Sequence, residues 1–249
     1  MSIKDLAICI RALDYSETSQ IVTFFARETG KIGAIAKGSK RLKSAFDGPL
    51  ELFSSGAIVF VPKAEDKLAV LTEFRPQPTH SRLAGNLFAL HCVSLAAELL
   101  NHLTNDYDPH PGLFDSFEQF LKDTDEAQGR GDAFKETLAL LILFQLSLLK
   151  EIGLQPKLSG CVNCKSRFSS DWARSYFSSS ANGLICRDCE PSFSDKISLT
   201  QQAANCLGNL KLIAISQAEA LREIEKILVH HFTELLHKPP RMAKYVLQS

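Results

Sequence analysis

The sequence predicts a multidomain α+β protein: a small five-stranded barrel or sandwich, then a helical body interrupted by a four-cysteine module. Three observations predict it. Through about residue 80, short apolar runs alternate with turn residues and no long helical period appears. From Ser81 the apolar spacing changes to threes and fours. Late in the chain, Cys161-Val-Asn-Cys164 is answered by Cys186-Arg-Asp-Cys189.

Taken in order, residues 3–13 are an apolar-rich strand closed by the turn Asp14-Tyr15-Ser16-Glu17. Residues 20–26 make the second strand and, after Thr29-Gly30-Lys31, residues 32–36 the third. A basic stretch and Gly48-Pro49 lead to a longer strand over 50–61, and a polar turn separates it from a fifth over 68–74. Pro76 and Pro78 end this unit, so we expect a first domain over 1–79 and a helical domain over 80–249. In the latter, Leu83, Leu87, Leu90, Val93, Ala97 and Leu100 share one helical stripe. Phe114, Phe117, Phe120 and Leu121 suit a short second helix, and 133–152 a long apolar one. Ser198-x-x-Gln201 and Ser216-x-x-Glu219 have the form of capping boxes for two later helices.

The cysteines carry the clearest chemistry. Each Cys-x-x-Cys puts two thiols on one tight turn, the bite a tetrahedral cation needs. Two such turns complete the closed four-sulfur shell of a structural zinc site, with no open position for a substrate. We therefore expect one structural zinc held by Cys161, Cys164, Cys186 and Cys189, in a module at about 157–192. Asn182-Gly183 in the spacer signals a hairpin. Trp172, Tyr176, Phe177, Leu184 and Ile185 suit a small sheet beside the metal. The remaining Cys9, Cys92 and Cys206 lie in apolar contexts and read as core residues.

Apolar residues are 45% and charged residues 22% of the 249, ordinary for a globular chain that buries a core. Net charge is zero, so any nucleic-acid function must live in a local patch. Neither a signal peptide nor an apolar run long enough for a bilayer is evident, and the cysteine usage suits a reducing compartment. We expect a cytoplasmic, nucleoid-associated protein with no membrane partner.

One patch stands out. Lys31, Lys37, Lys40, Arg41 and Lys43 fall in thirteen residues without an acid, and Gly38 and Ser39 should make their middle flexible. Small barrels with cationic loops follow phosphate backbones, which makes these five the candidate DNA contacts; a solvated surface loop is the plainer alternative. The cysteine module is nearly neutral once four thiolates are counted with a dication, which suits a staple or docking surface.

Enzyme signatures fail. Gly33-x-x-x-x-Gly38 is followed by Ser39-Lys40, the reverse of the order a P-loop requires. There is no nucleophile elbow. His230 and His231 do not form a His-Glu-x-x-His signature, and they suit the side of the last long helix. Asp106, Asp108 and His110 suit a turn better than a second metal site. We expect no enzymatic activity.

The chain resembles the RecO family of bacterial recombination mediators. Leu13-Asp14-Tyr15-Ser16-Glu17-Thr18-Ser19-Gln20-Ile21-Val22, Thr29-Gly30-Lys31-Ile32 and Ala36-Lys37-Gly38-Ser39-Lys40-Arg41 carry the likeness. So do Leu50-Glu51-Leu52-Phe53 and the Gly153-Leu154-x-Pro156 turn ahead of Cys161. The resemblance implies an N-terminal OB-fold barrel, a helical body and, since all four cysteines are present, a zinc-binding insert. It also implies binding of single- and double-stranded DNA and annealing of complementary strands. With RecR, it implies assistance to recombinase loading on DNA coated by single-strand-binding protein, whose C-terminal tail is a further partner. Arg130, Arg241 and Lys244 are candidate contacts for that tail. The competing readings are a zinc-ribbon scaffold in transcription or translation that binds only protein, and a metal-dependent nuclease or phosphatase. The nuclease reading lacks the clustered carboxylates of a two-metal site.

Overall fold

The computed structural model describes residues 1–41, 44–46, 48–63, 67–77 and 82–248. The chain forms two compact units, one of Met1–Gly85 with Ala97–Lys122, the other of Asn86–Ala96 with Asp123–Ser249.

In the first unit, β1 (Ile3–Asp14), β2 (Gln20–Ala26) and β3 (Gly30–Ala36) form an antiparallel meander. β4 (Ser55–Val61) pairs antiparallel with both β1 and β5 (Ala69–Pro76), and β5 runs parallel to β3. The order β1-β2-β3-β5-β4 closes on itself. The architecture is thus a barrel, the OB-like arrangement, and the sandwich alternative is removed. Burial alternates residue by residue along β3 and β4, as one inward face per strand demands. Val22, Phe24, Ile32, Ile58 and Phe60 fill the interior, each worth about 1.5–3 kcal/mol of apolar burial. Gly30 is fixed by space as well as by its φ of +81°: a Cβ there would lie 2.2 Å from the carbonyl oxygen of Asp108.

The fourth strand is shorter than the sequence suggests. Phe53 and Ser54 still exchange backbone bonds with Cys9 of β1 at 2.8 and 2.9 Å, but the regular strand begins only at Ser55, because Phe53 takes a left-handed φ of 65° and Gln20 captures both the N–H and the C=O of Leu50. The apolar character of this stretch still serves burial, since Leu50 and Phe53 both turn inward.

The helices are α1 (Leu87–Leu103), α2 (Pro111–Ala127), α3 (Ala133–Glu151), α4 (Gln201–Gly208), α5 (Ala218–Leu236) and α6 (Ala243–Leu247). α2 is 17 residues rather than short. Pro111 starts it, where a missing N–H costs nothing, and Thr124 and Ala127 extend the buried stripe begun by Phe114 and Phe117. In the second unit α3 packs against α5. Neither expected capping box forms. Ser198 is held in a strand opposite Tyr176, and Thr200 caps α4 instead, its Oγ1 accepting from the Ala203 N–H at 3.3 Å. Ser216 turns its hydroxyl to the carbonyl of Leu212 at 2.7 Å, leaving Gln217 as an N-cap without a side-chain bond. Cys9, Cys92 and Cys206 are buried, as expected of core residues. His231 on α5 is buried, edge-on to Phe177 at 5.4 Å. Among the described residues, no helix is long and apolar enough to cross a membrane.

Candidate functional site

The cysteine module is built on a three-stranded sheet in which β6 (Ser175–Ser178) lies between β7 (Gly183–Cys186) and β8 (Ile197–Leu199). The Asn182-Gly183 signal sits at the β6–β7 turn. Asn182 has φ 51°, and a Cβ on Gly183 would meet the carbonyl oxygen of Lys157 at 2.5 Å. That close approach brings the first cysteine turn to the edge of β7. The Leu184 N–H donates to the carbonyl of Lys157 at 3.0 Å, and the Val162 N–H donates to the carbonyl of Leu184 at 2.9 Å. Within the first turn, the Cys161 N–H donates to the carbonyl of Ser166 at 2.9 Å and the Lys165 N–H to the carbonyl of Cys161 at 3.1 Å, with Lys165 in the left-handed region. The second pair straddles the end of β7: Cys186 closes the strand and Cys189 lies on the 3-10 turn Arg187–Ser192 that follows.

These two turns bring all four sulfurs within 4.8 Å of one another, close enough to hold one metal ion. Cys161 and Cys189 are buried, Cys186 is half-buried and Cys164 is exposed. Tyr176 and Ile185 back the cluster, with Val162, Trp172 and Phe193 packed around it. All four cysteines are free thiols rather than disulfides. Their acidities diverge: hydrogen bonds from the Ser166 hydroxyl and backbone hold Cys164 down to about 6, whereas burial pushes Cys186 up to about 12. Four thiolates within 4.8 Å of one another would repel, so ionising them together calls for a cation among them. Among the described residues this is the one such grouping; Asp106, Asp108 and His110 do not converge. Asp106 pairs with Lys31 at 3.3 Å and His110 lies 3.4 Å from Asp108.

The second candidate site is the loop that leaves β3. Its residues 38–40 are fastened by hydrogen bonds to β2 and the β1–β2 turn. Ser39 is fully buried and donates its hydroxyl hydrogen bond to Oε1 of Gln20 at 3.0 Å. The same Oε1 accepts from the Leu50 N–H at 2.9 Å, and Nε2 of Gln20 donates to the Leu50 carbonyl at 3.2 Å. The Gly38 N–H donates to the Ser19 hydroxyl at 3.3 Å and the Lys40 N–H to the carbonyl of Thr18 at 3.2 Å. Ser39 is small and polar, which suggests mobility in a sequence, but a hydroxyl with a buried amide to bond acts as an anchor. Gln20 had no sequence signal beyond being a polar residue at the head of an apolar strand.

The cations on and near this loop differ in their surroundings. Lys37 and Arg41 are exposed. Lys40 is half-buried, with Nζ 2.6 Å from Oδ2 of Asp14. Lys31 stands apart from them: its ammonium donates to the carbonyls of Asn101 at 2.8 Å and Thr104 at 2.7 Å, besides its pairing with Asp106. Lys43 lies outside the described residues. In the other unit, Arg130 pairs with Glu126 and Glu136, and the Lys244 ammonium sits 4.6 Å over the ring of Tyr245.

Comparison with known proteins matches both parts of the chain to one family. A family model described as recombination protein O, N-terminal, matches residues 1–98, and one described as recombination protein O, C-terminal, matches residues 84–244. The chain is 34% identical over 205 residues to a DNA repair protein RecO from Rhodopirellula baltica, covering 82% of this chain and 73% of that protein. A DNA repair protein RecO from Anaeromyxobacter dehalogenans is 30% identical over 189 residues, covering 76% and 71%. One from Bacillus pumilus is 27% identical over 241 residues, covering 94% and 89%.

Proposed function

The chain belongs to the recombination protein O (RecO) family of DNA repair proteins, and from that premise we propose that it is a non-enzymatic DNA-binding mediator that anneals complementary strands. In this reading RecR and the acidic C-terminal tail of single-strand-binding protein are its protein partners, and together they assist recombinase loading on coated single strands.

The observation that carries the proposal is the closed barrel with an anchored cationic loop at one end. Phosphate contacts are independent of sequence, which suits a protein that acts on any gapped DNA. Annealing needs reversible cationic contacts that lower the repulsion between two backbones and leave base edges free to pair. The anchors hold Gly38, Ser39 and Lys40 in place, so these residues need little ordering on binding. Lys31 already satisfies two carbonyls and a carboxylate, so the phosphate contacts fall to Lys37, Lys40, Arg41 and Lys43. Neither ATP nor bond cleavage enters this mechanism.

The ion we assign to the cysteine cluster is zinc. A tetrahedral site with Zn–S bonds of about 2.3 Å has sulfur–sulfur edges of about 3.8 Å, and Cys164 and Cys186 already lie 3.7 Å apart. Cys161, Cys164, Cys186 and Cys189 would hold it, and its chemistry there is to stabilise the module.

The test is salt-dependent binding and annealing on single strands, bare and coated, by the full chain and by a variant with Lys37, Lys40, Arg41 and Lys43 all changed to alanine. The expected slope is about −0.7 per phosphate contact in log affinity against log salt, and the variant should flatten it. An unchanged slope would move the DNA surface elsewhere. Absence of DNA binding by the wild type would favour a protein-only scaffold, and magnesium-dependent cleavage an enzyme.

A further inference from the structure

An aromatic ring is displayed next to the cationic loop, on the turn that the loop is bonded to. Asp14, Gln20 and Ala36 are successive partners across β1, β2 and β3, so the β1–β2 turn and the loop after β3 leave the barrel at the same end. The two segments are joined by three bonds: Gly38 N–H to the Ser19 hydroxyl, Lys40 N–H to the Thr18 carbonyl, and the Lys40 ammonium to the Asp14 carboxylate. The turn itself is closed by the Tyr15 and Ser16 N–H groups, which both donate to the carbonyl of Ser19, at 2.9 and 3.2 Å. On this braced turn Tyr15 is 63% exposed and Leu13, just before it, is 46% exposed. Tyr15 has no part in the barrel core. Largely exposed, it contributes little to stability by packing.

Charge decides what class of partner suits the ring. Lys37, Lys40 and Arg41 set three positive charges on the loop, with Arg11 near the end of β1, against the negative charges of Asp14 at the end of β1 and Glu17 on the turn. Asp14 is engaged with Lys40, and the local balance is cationic. An exposed aromatic face set among cations on preordered backbone matches an unpaired nucleic-acid strand, whose bases stack while its phosphates are neutralised. A duplex offers the phosphates but keeps its base faces stacked inside.

We infer that Tyr15 is a base-stacking residue, and that the linked β1–β2 turn and β3 loop form one platform that favours unpaired over paired strands. The inference deepens the DNA-binding reading and rests on it. The loop cations supply affinity for any nucleic acid, and the Tyr15 ring adds a contact only a free base can use. No base edge is read, so the contact tolerates every sequence.

The experiment compares the wild type with Tyr15→Ala and Tyr15→Phe as full chains, on an oligo-dT strand, on an abasic strand of equal length and on a duplex. Tyr15→Ala should bind oligo-dT roughly tenfold more weakly, the loss expected of one stacked base, and should bind the abasic strand and the duplex like the wild type. Tyr15→Phe should keep most of the oligo-dT affinity, since the ring carries the contact. Fluorescence of a 2-aminopurine strand should be quenched by the wild type and by Tyr15→Phe, and much less by Tyr15→Ala. Thermal unfolding of the two variants should match the wild type. Equal loss of affinity for oligo-dT, abasic strand and duplex in Tyr15→Ala, or no loss on any, overturns the stacking role while leaving the cationic contacts standing. Failure of the wild type to bind any of the three overturns the DNA-binding reading and this one with it.

Discussion

Gln145 on α3 donates a 2.9 Å hydrogen bond from Nε2 to Oε1 of Glu225 on α5, and both side chains are buried. The other carboxyl oxygen of Glu225 and the amide oxygen of Gln145 have no hydrogen-bond partner among the described residues. A carboxylate in that position is costly to ionise. Burial pushes Glu225 up to about 7, opposed only in part by the Gln145 bond.

This pair predicts a pH dependence with a definite sign. The folded chain keeps a proton that the unfolded chain releases above its ordinary value of 4.5. The stabilisation from protonated Glu225 is complete below 4.5, falls as pH rises, and is gone once pH passes about 7. At full extent it amounts to roughly 3 kcal/mol. Glu225→Gln should remove that downward slope, and chemical unfolding of both chains across this window checks it. His231 acts in the opposite sense. Burial, with help from His230, lowers it from 6.5 to about 4, so its contribution is present above 6.5 and lost as pH falls toward 4. The difference between wild type and Glu225→Gln isolates the carboxyl from the histidine.

For the cysteine module the expected outcome is one zinc per chain by elemental analysis. Cys161→Ser, a change at the fully buried ligand, should abolish stoichiometric zinc and cost on the order of 5 kcal/mol of stability, because metal binding and folding of such a module are one equilibrium. Cys206→Ala, outside the cluster, should keep the metal. Zinc-free protein purified without chelator would overturn the assignment.

Gln20 should behave as a clamp. Gln20→Ala leaves the Ser39 hydroxyl and both Leu50 backbone groups without their partner in a buried setting. We expect a loss of roughly 2–4 kcal/mol. The freed loop should also be cut by trypsin after Lys40 and Arg41 faster than in the wild type. Unchanged cleavage would show that the backbone bonds to Thr18 and Ser19 suffice.

How much of this was legible in the sequence follows from how local each signal is. The cysteine turns were readable because ligand spacing is set within four residues, and the structure brings Cys161, Cys164, Cys186 and Cys189 together. Apolar runs bounded by turn residues located β2 to the residue and β3 to within two, since such a strand is marked by its own side chains and flanking turns. What was not legible depends on partners distant in sequence. The early end of the expected fourth strand traces to Gln20, thirty residues from Leu50. The anchoring of Ser39 traces to the same amide. The capping boxes failed because Ser198 and Ser216 had competing bonds, one in a sheet and one to a carbonyl four residues back. Charge counting likewise could not separate Lys31 from its neighbours.

Lys31 gives the last test, because a structural lysine and a phosphate-binding lysine respond differently to substitution. Its ammonium bonds the carbonyls of Asn101 and Thr104, at and just beyond the C-terminal end of α1 (Leu87–Leu103), where a cation is favoured by the helix dipole. Its side chain is only 13% exposed, against 65% for its partner Asp106. Lys31→Met keeps the stem and removes the charge. It should therefore leave two carbonyls short of a donor and cost about 1–3 kcal/mol. The dependence of DNA affinity on salt should stay at the wild-type slope, while Lys37→Met should reduce that slope by about 0.7 with stability unchanged. If Lys31→Met instead lowered the slope and left the unfolding midpoint in place, Lys31 would belong with the phosphate contacts.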